Sequence, residues 1–404
     1  MLGNVECAPD GGLRVSPWAP AAVAHFSFGP SEVLDGSIEV RPADAGQLIN
    51  HVEFTLEYRY TRLRHRQHGY TWEHPAGSFC VWLGNDTELP TESMLRDALN
   101  QGGWQIIGAL ILDTLPGTMP EPCGGSGVWI NRYTADPHLL GFGATVARRT
   151  AQTLTERYLL TLEASGSVAS FGAHPSRERY SDEVEFDSGS WEDLAPDSTP
   201  ADAVQDELGD WVIDKNDLTR RDNALTTALH VEWVRMAGSH RQTRVAFQTP
   251  ITDQVYDTVH TVRVAALGTV AQGKVTRVQE VWDINAGTEV ATLELAIYRG
   301  GVATQSEPLT PPARPAFDMG VAPATGTVLA TQLGGAVDSP SYDEELDGFA
   351  GNYGWEAAGS ATYPRRLQIT TPDIEAVHRD PAEAETVVSY AIGLSTDLLL
   401  TEVI

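Results

Sequence analysis

From His51 to Thr61 apolar and polar residues alternate almost without interruption. Val52, Phe54, Leu56, Tyr58 and Tyr60 fall on one side, and Glu53, Thr55, Glu57, Arg59 and Thr61 on the other. A period of two over this length predicts a strand with one buried and one solvated face. The period changes after Lys215. Leu225, Leu229, Trp233 and Met236 recur at helical spacing, Asn216 or Asp217 can cap the N-terminus, and Gly238 suits the position just past the C-terminus. Four β-rich runs then follow: TRVAFQT, VHTVRVAA, VAQGKVTRVQEVWD and EVATLELAIYR. The last two flank Ile284-Asn285-Ala286-Gly287, whose glycine can take a positive φ, and so predict a long hairpin.

Elsewhere the signals are shorter. Thr91 can cap a helix running to Gln101, with Met94, Leu95, Ala98 and Leu99 on its apolar side and Gly102-Gly103 ending it. Strands are predicted at WQIIGALIL, GVWINRY, LLGFGATVARRTAQ and TLTERYLLTLEA, and near the C-terminus at RRLQITTP and TVVSYAIGL. The expected organisation is an N-terminal arm (1–45), a β-rich module with a short helix (46–180), an acidic linker (181–215), a helix plus four-stranded β module (216–300), and a Pro/Gly-rich connector with a C-terminal module (301–404). The fold class expected is α+β and mostly β. It comprises antiparallel sheets or β-barrel-like modules with a few helices, in several domains.

Charge narrows the functional classes. The chain has 55 acidic against 27 basic residues, a net charge of −28, which disfavours stable binding to nucleic acid or to an acidic membrane surface. Twelve carboxylates lie between Asp182 and Asp214 without one Lys or Arg. That run reads either as a solvated linker or as an acidic strip facing a lumen or a basic partner. The one basic island, RYTRLRHRQH, holds Arg59, Arg62, Arg64, Arg66, His65 and His68. In so acidic a chain, salt bridging to acidic neighbours in an adjoining subunit is favoured there over nucleic-acid contact.

Candidate chemistry is sparse. Cys7, Cys80 and Cys123 are an odd set without CxxC spacing, which fits a reducing cytoplasm better than a disulfide framework or a zinc site. His65, His68 and His74 lack the carboxylate or cysteine that would complete a metal-binding spacing, and read as surface histidines. Cys123-Gly124-Gly125-Ser126-Gly127 misses the Gly-x-Ser-x-Gly elbow because Val128 stands where glycine is needed. Asp338 to Gly348 lacks the alternation of a calcium loop. Trp82, Trp104, Trp233 and Trp282 lie in apolar runs and are expected in the core, whereas Phe349, Tyr353 and Trp355 lie in Gly-rich surroundings and suit exposed contact. No residue is assigned a catalytic, cofactor-binding or metal-binding role. The N-terminus carries no basic region leading into a long apolar stretch, and no run approaches the roughly 18–20 apolar residues of a membrane span.

Two stretches carry a resemblance: QLINHVEFTLEYRYTRLRHRQ with the following FCVWLGNDTELPTESMLRDALNQGGWQIIGA, and VHTVRVAALGTVAQGKVTRVQEVWDINAGTEVATLELAIYR. With SYDEELDGFAGNYG and YPRRLQITTPDIEAVHRD they resemble segments of baseplate hub and tail-tip proteins of tailed bacteriophages. The resemblance implies a non-enzymatic virion protein of the phage tail, made in the host bacterial cytoplasm. It implies β-barrel-type modules in a homotrimeric ring that joins the tail tube to a distal tail ring and to tip or fibre proteins, around the DNA exit path. Two alternatives from other classes are a tail-associated carbohydrate-active enzyme and a receptor- or glycan-binding module.

Overall fold

In a computed structural model, residues 3–7, 12–73, 91–108, 111–114, 117–120, 126–130, 139–186, 191, 199–301, 308–318 and 374–401 are described. The N-terminal part contributes β1 (Gly3–Cys7), β2 (Leu13–Pro17), β3 (Phe26–Phe28), β4 (Glu39–Arg41) and the long β5 (His51–Glu73). Helix α1 (Glu92–Gln101) leads into β6 (Gln105–Ile106), β7 (Ile111–Thr114), β8 (Thr118–Pro120), β9 (Val128–Ile130) and the long β10 (Leu139–Glu163). Then come α2 (Ser165–Phe171), β11 (Pro175–Glu183), β12 (Val204–Gln205), β13 (Trp211–Lys215) and helix α3 (Leu218–His240). The chain continues with β14 (Thr243–Pro250), β15 (Thr261–Ala266), β16 (Thr269–Asp283), β17 (Thr288–Ile297), α4 (Ala376–Arg379), β18 (Ala382–Ala391) and β19 (Leu398–Thr401). Strand outweighs helix and most pairings are antiparallel, so the fold is α+β with β dominating.

The first sheet is built on β5 and β10, which pair antiparallel from His51↔Glu163 to Glu73↔Gly141. β11 runs parallel to the first half of β5, and β13 pairs antiparallel with Thr61 to His65. On the far edge of β10, β18 runs parallel to Leu154–Glu163, while β6 and β7 pair with its beginning. The predicted alternation of β5 holds, with Val52, Phe54, Leu56, Tyr58 and Tyr60 all buried. They meet Leu154, Tyr158, Leu160 and Leu162 of β10 and the Leu225, Leu229, Trp233 and Met236 face of α3. Helix α3 therefore covers the first sheet. The sequence grouped it with the four strands that follow, but its apolar stripe packs on the β5–β10 face. Asp217 is its cap, accepting from Arg220 N at 2.9 Å. The helix continues through Gly238 to His240, because Ser239 Oγ donates to Met236 O at 2.7 Å and His240 Nδ1 bonds the same carbonyl at 2.7 Å.

The second sheet has the order β3-β15-β16-β17-β14-β4, with β19 also pairing β16. Its core unites Phe28, Val245, Phe247, Val262, Val264, Leu293 and Leu295. Both outer strands, β3 and β4, come from the segment expected to be an N-terminal arm; residues 26–41 thus edge the sheet on both sides. β16 and β17 form the predicted hairpin, closed by residues 284–287 with Gly287 at φ 64°. A register shift between Val275 and Arg277 marks a bulge; β17 stays paired with β14 as far as Val290, and the hairpin runs past the end of β14 only beyond that point.

One glycine in this sheet has no room for a side chain. A Cβ on Gly273 would lie 2.5 Å from Ala296 O and 2.6 Å from Ile297 Cδ1. Gly273→Ala is expected to cost about 1–3 kcal/mol through overpacking, read as a lowered urea midpoint with an unchanged m-value.

Candidate functional site

The basic island lies inside the first sheet. Arg62, Arg64 and Arg66 continue the β5 face that carries Tyr58 and Tyr60, so the strand's inward side changes from apolar to cationic partway along. Arg64 is only 1% exposed. Burying such charges requires partners, and the acidic run supplies them. Arg62 forms a two-point contact with Asp214, at 2.6 and 2.9 Å. Arg64 Nη1 donates to Asp206 at 2.6 Å and to Asp210 at 2.7 Å. Arg66 donates through Nε to Asp210 at 2.9 Å, through Nη1 to Glu375 at 2.7 Å, and through Nη2 to His378 Nδ1 at 3.1 Å. At the start of the run, Asp182 holds Arg220.

Three expectations are corrected here. The described part of the 181–215 segment is not a solvated linker, because β12 and β13 fold onto β5 to neutralise it. The arginines find their carboxylates within their own chain rather than in a neighbouring subunit. His65 is not a surface residue either. It is fully buried on the opposite face of β5, edge-on to Trp191 at 6.4 Å, beside Leu63 and Ile213. His74 and the side chain of His68 lie outside the described residues, as do Trp82, Phe349, Tyr353, Trp355, the 338–348 segment, RRLQITTP and most of the Cys123 loop.

A second charged cluster pins the chain after residue 308. Glu156, fully buried on β10 opposite Tyr58, accepts from Tyr158 Oη at 2.5 Å and from Arg314 Nε at 2.6 Å. Arg314 also donates to Tyr60 Oη at 2.7 Å and sits 5.5 Å from the Tyr60 ring centroid. Burial and the Glu156 carboxylate together raise the Tyr158 pKa, which keeps its hydroxyl a donor. The carboxylate, the phenols and the guanidinium satisfy one another, and the arrangement fastens the proline-rich segment onto the sheet. Among the described residues no group of His, Cys, Asp and Glu could hold a metal ion.

Between the sheets Arg241 lies 4.8 Å from the Trp18 ring centroid and 5.4 Å from that of Tyr298. Asp397 is buried beside them and accepts from Tyr298 N at 3.1 Å. Burial pushes its pKa up to about 7, against the smaller opposing pull of the Tyr298 amide and Arg241. A carboxyl raised in the folded state favours folding fully only below its unfolded pKa of about 3.8, and that contribution is gone once the pH has risen past 7. Asp397→Asn should therefore gain stability relative to wild type between pH 4 and 7, by a few kcal/mol at most. Thermal melts of both proteins across that range check it; parallel pH profiles would remove Asp397 as a titrating group.

Two surface features lie at opposite ends of the second sheet. Beyond the bulge, the β16–β17 ribbon exposes Val281, Trp282 and Ile284, the last at 93%. Trp282 was expected in the core with Trp104 and Trp233, which are indeed buried; nothing among the described residues covers the ribbon where Trp282 sits. Asp283 Oδ1 accepts from Asn285 N and Ala286 N at 2.9 and 3.0 Å, giving the tip a defined turn. At the other end is a cavity of about 460 Å³. Val40, Leu48, Phe171 and Leu399 supply apolar lining, and His174, Arg299 and Asp44 supply polar groups. The end of α3 closes one wall with Ser239 and His240. His240 is held by Met236 O and by Ser167 Oγ at 2.7 Å, and burial lowers its pKa.

No helix among the described residues is long and apolar enough to cross a membrane. No protein-family model, no curated protein and no solved structure matches the chain.

Proposed function

We propose that this protein is a structural component of a bacteriophage tail tip or baseplate. In this reading it is hub-like, acts without catalysis, and assembles as a homotrimeric ring that joins the tail tube to tip proteins around the DNA exit path. The observation that carries the reading is the end of the β16–β17 hairpin, which holds Val281, Trp282 and Ile284 in solvent on a strongly acidic chain. Apolar side chains exposed together at a hairpin tip are an aggregation hazard unless a partner covers them. Leu13 and Val15 on the β1–β2 hairpin add a second exposed apolar pair. The order of segments and the resemblance described above supply the tail setting. A net charge of −28 suits a wall along which DNA must pass without adhering, with repulsion reaching about 8–10 Å at physiological salt.

Negative-stain imaging of purified tails, with this protein labelled, tests the reading. The label is expected at the tail tip, with three copies per particle by quantitative mass spectrometry. Label on the head, or none on particles, overturns the virion role, and one or six copies overturns the trimer. Turnover of cell-wall substrates that a single carboxylate substitution abolishes without disturbing assembly would favour the carbohydrate-active enzyme. Saturable glycan binding by the isolated protein would favour the receptor-binding module.

A further inference from the structure

The ribbon tip and the cavity have complementary properties and cannot meet within one chain. β17 starts at the tip with Thr288 and ends at Ile297, which pairs with Thr243 on the cavity wall. Ten residues of extended strand, at about 3.3 Å each, separate the two features by about 30 Å. β19, whose Leu399 and Thr401 also line the cavity, pairs with Thr269–Gln272, the end of β16 farthest from the tip. One end of the sheet thus presents a knob and the other a hole.

The surfaces match in polarity and in charge. The knob is Trp282, with Ile284 in the adjoining turn and Val281 on the other face of the strand, flanked by the exposed carboxylates of Glu280, Asp283 and Glu289. The hole is floored by Val40, Leu48, Phe171 and Leu399, with His174 and Arg299 as its basic groups. Its one acidic residue, Asp44, already accepts from the Gly46 amide at 3.0 Å. The volume falls within the roughly 300–1,000 Å³ of sites that enclose small ligands, ample for an indole. An acidic surface membrane would repel the tip carboxylates, and a second copy of this chain supplies both the apolar and the basic elements the tip requires.

We propose that the ribbon tip of one copy docks into this cavity of the next, head to tail, with Trp282 as the anchor. Such a contact uses different patches on the two partners, so it leaves a free knob at one end and a free hole at the other. Repetition closes into a ring when the rotation per subunit permits. A buried Trp at the centre of a small interface, rimmed by opposite charges, is the usual composition of a dominant binding residue. The proposal rests on the self-assembly reading above and specifies its interface.

The test uses two variants of the full chain. Trp282→Asp spoils the knob at an exposed position, and Phe171→Glu together with Arg299→Glu spoils the hole at exposed positions. Circular dichroism and thermal melts establish that both remain folded. By sedimentation or mass photometry, each variant alone should self-associate about thirtyfold or more weakly than wild type. Mixed one to one, they should form dimers and nothing larger, because one intact knob and one intact hole remain. A photo-crosslinker placed at position 282 of the wild-type background should map to residues 40–48, 171–174 or 399–401 of a second copy. Assembly of the Trp282→Asp protein at wild-type strength, or crosslinks mapped elsewhere, overturns the docking while leaving the ring reading in place. A wild-type protein that stays monomeric in solution, yet is counted as three copies per tail, overturns knob-and-hole docking as the driver of assembly. A single copy per tail overturns the ring itself.

Discussion

Asp210→Ala should destabilise the fold by about 3–5 kcal/mol, more than any other carboxylate removal in the seam between β5 and the β12–β13 hairpin. Asp210 is 4% exposed and serves two buried cations at once, Arg64 at 2.7 Å and Arg66 at 2.9 Å. Removing it leaves Arg64 with Asp206 and Arg66 with Glu375 and His378. Glu375 is half solvated, so it compensates weakly. Burial alone would raise its pKa; the Arg66 guanidinium outweighs that and holds the carboxyl down at about 2. A depressed carboxyl contributes its stability above its unfolded pKa, about 4.5, and loses it as the pH falls towards 2. At neutral pH the seam is therefore at full strength, and urea unfolding there is the appropriate measurement. Limited proteolysis should also cut between residues 199 and 215 in the variant, since the hairpin is held to β5 by these charges and by a short ladder. Adding Arg64→Leu to Asp210→Ala should recover part of the loss, because it removes one of the two buried cations that Asp210 served. A single-variant loss below about 1 kcal/mol would mean that water reaches the seam and that the pairs are ordinary surface bridges.

The parts of this architecture that were legible in the sequence are those in which one face meets one environment. The β5 alternation, the α3 stripe and the β16–β17 hairpin are all of that kind. β10 was read as two strands because Arg148, Arg149, Thr150 and Gln152 interrupt its apolar pattern. In the fold Arg149 lies over Trp191 at 5.1 Å, and Gln152 donates to the carbonyls of Val377 and Asp380 at 2.8 and 2.7 Å. Those partners come from distant segments, so the local pattern looked like a break. The same reason hid the seam. Its arginines and carboxylates stood out separately as a basic island and an acidic run, while Arg64 and Asp210 are 146 positions apart. Opposite, unexplained charge runs were the available signal for joining them. Trp282 fails in the other direction. Its alternation is that of a covered strand, but it sits where the hairpin runs past the end of β14, and nothing among the described residues covers it there. The cavity had no local signal at all, because its walls are drawn from five separate stretches of chain.

Trp233→Ala is expected to cost about 3–5 kcal/mol, the range for deleting a large aromatic from a packed interior. Trp233 is 5% exposed and joins the cluster in which Leu225, Leu229 and Met236 of α3 meet Tyr58, Leu154, Tyr158 and Leu160 of the sheet. Its Nε1 makes no hydrogen bond among the described residues, so the loss is one of packing alone. That separates the variants cleanly. Trp233→Phe retains most of the ring and forfeits no polar partner, and should cost far less than the alanine change. Val234→Ala, one residue along on the face that is 37% exposed, should stay within about 0.5 kcal/mol. Helix propensity alone predicts a small gain at both positions, since alanine is the better helix former at either. Urea midpoints for the three variants distinguish packing from propensity; equal effects of Trp233→Ala and Val234→Ala would remove α3 as the cover of the first sheet. The consequence reaches the assembly end of the molecule, because Ser239 Oγ accepts from Ile49 N at 3.0 Å, and the α3 terminus walls the cavity. Loosening the helix from the sheet should thus weaken self-association in Trp233→Ala, whereas Trp282→Asp should weaken it without moving the urea midpoint. Only the first variant couples the two measurements, and that contrast separates an interface defect from a folding defect.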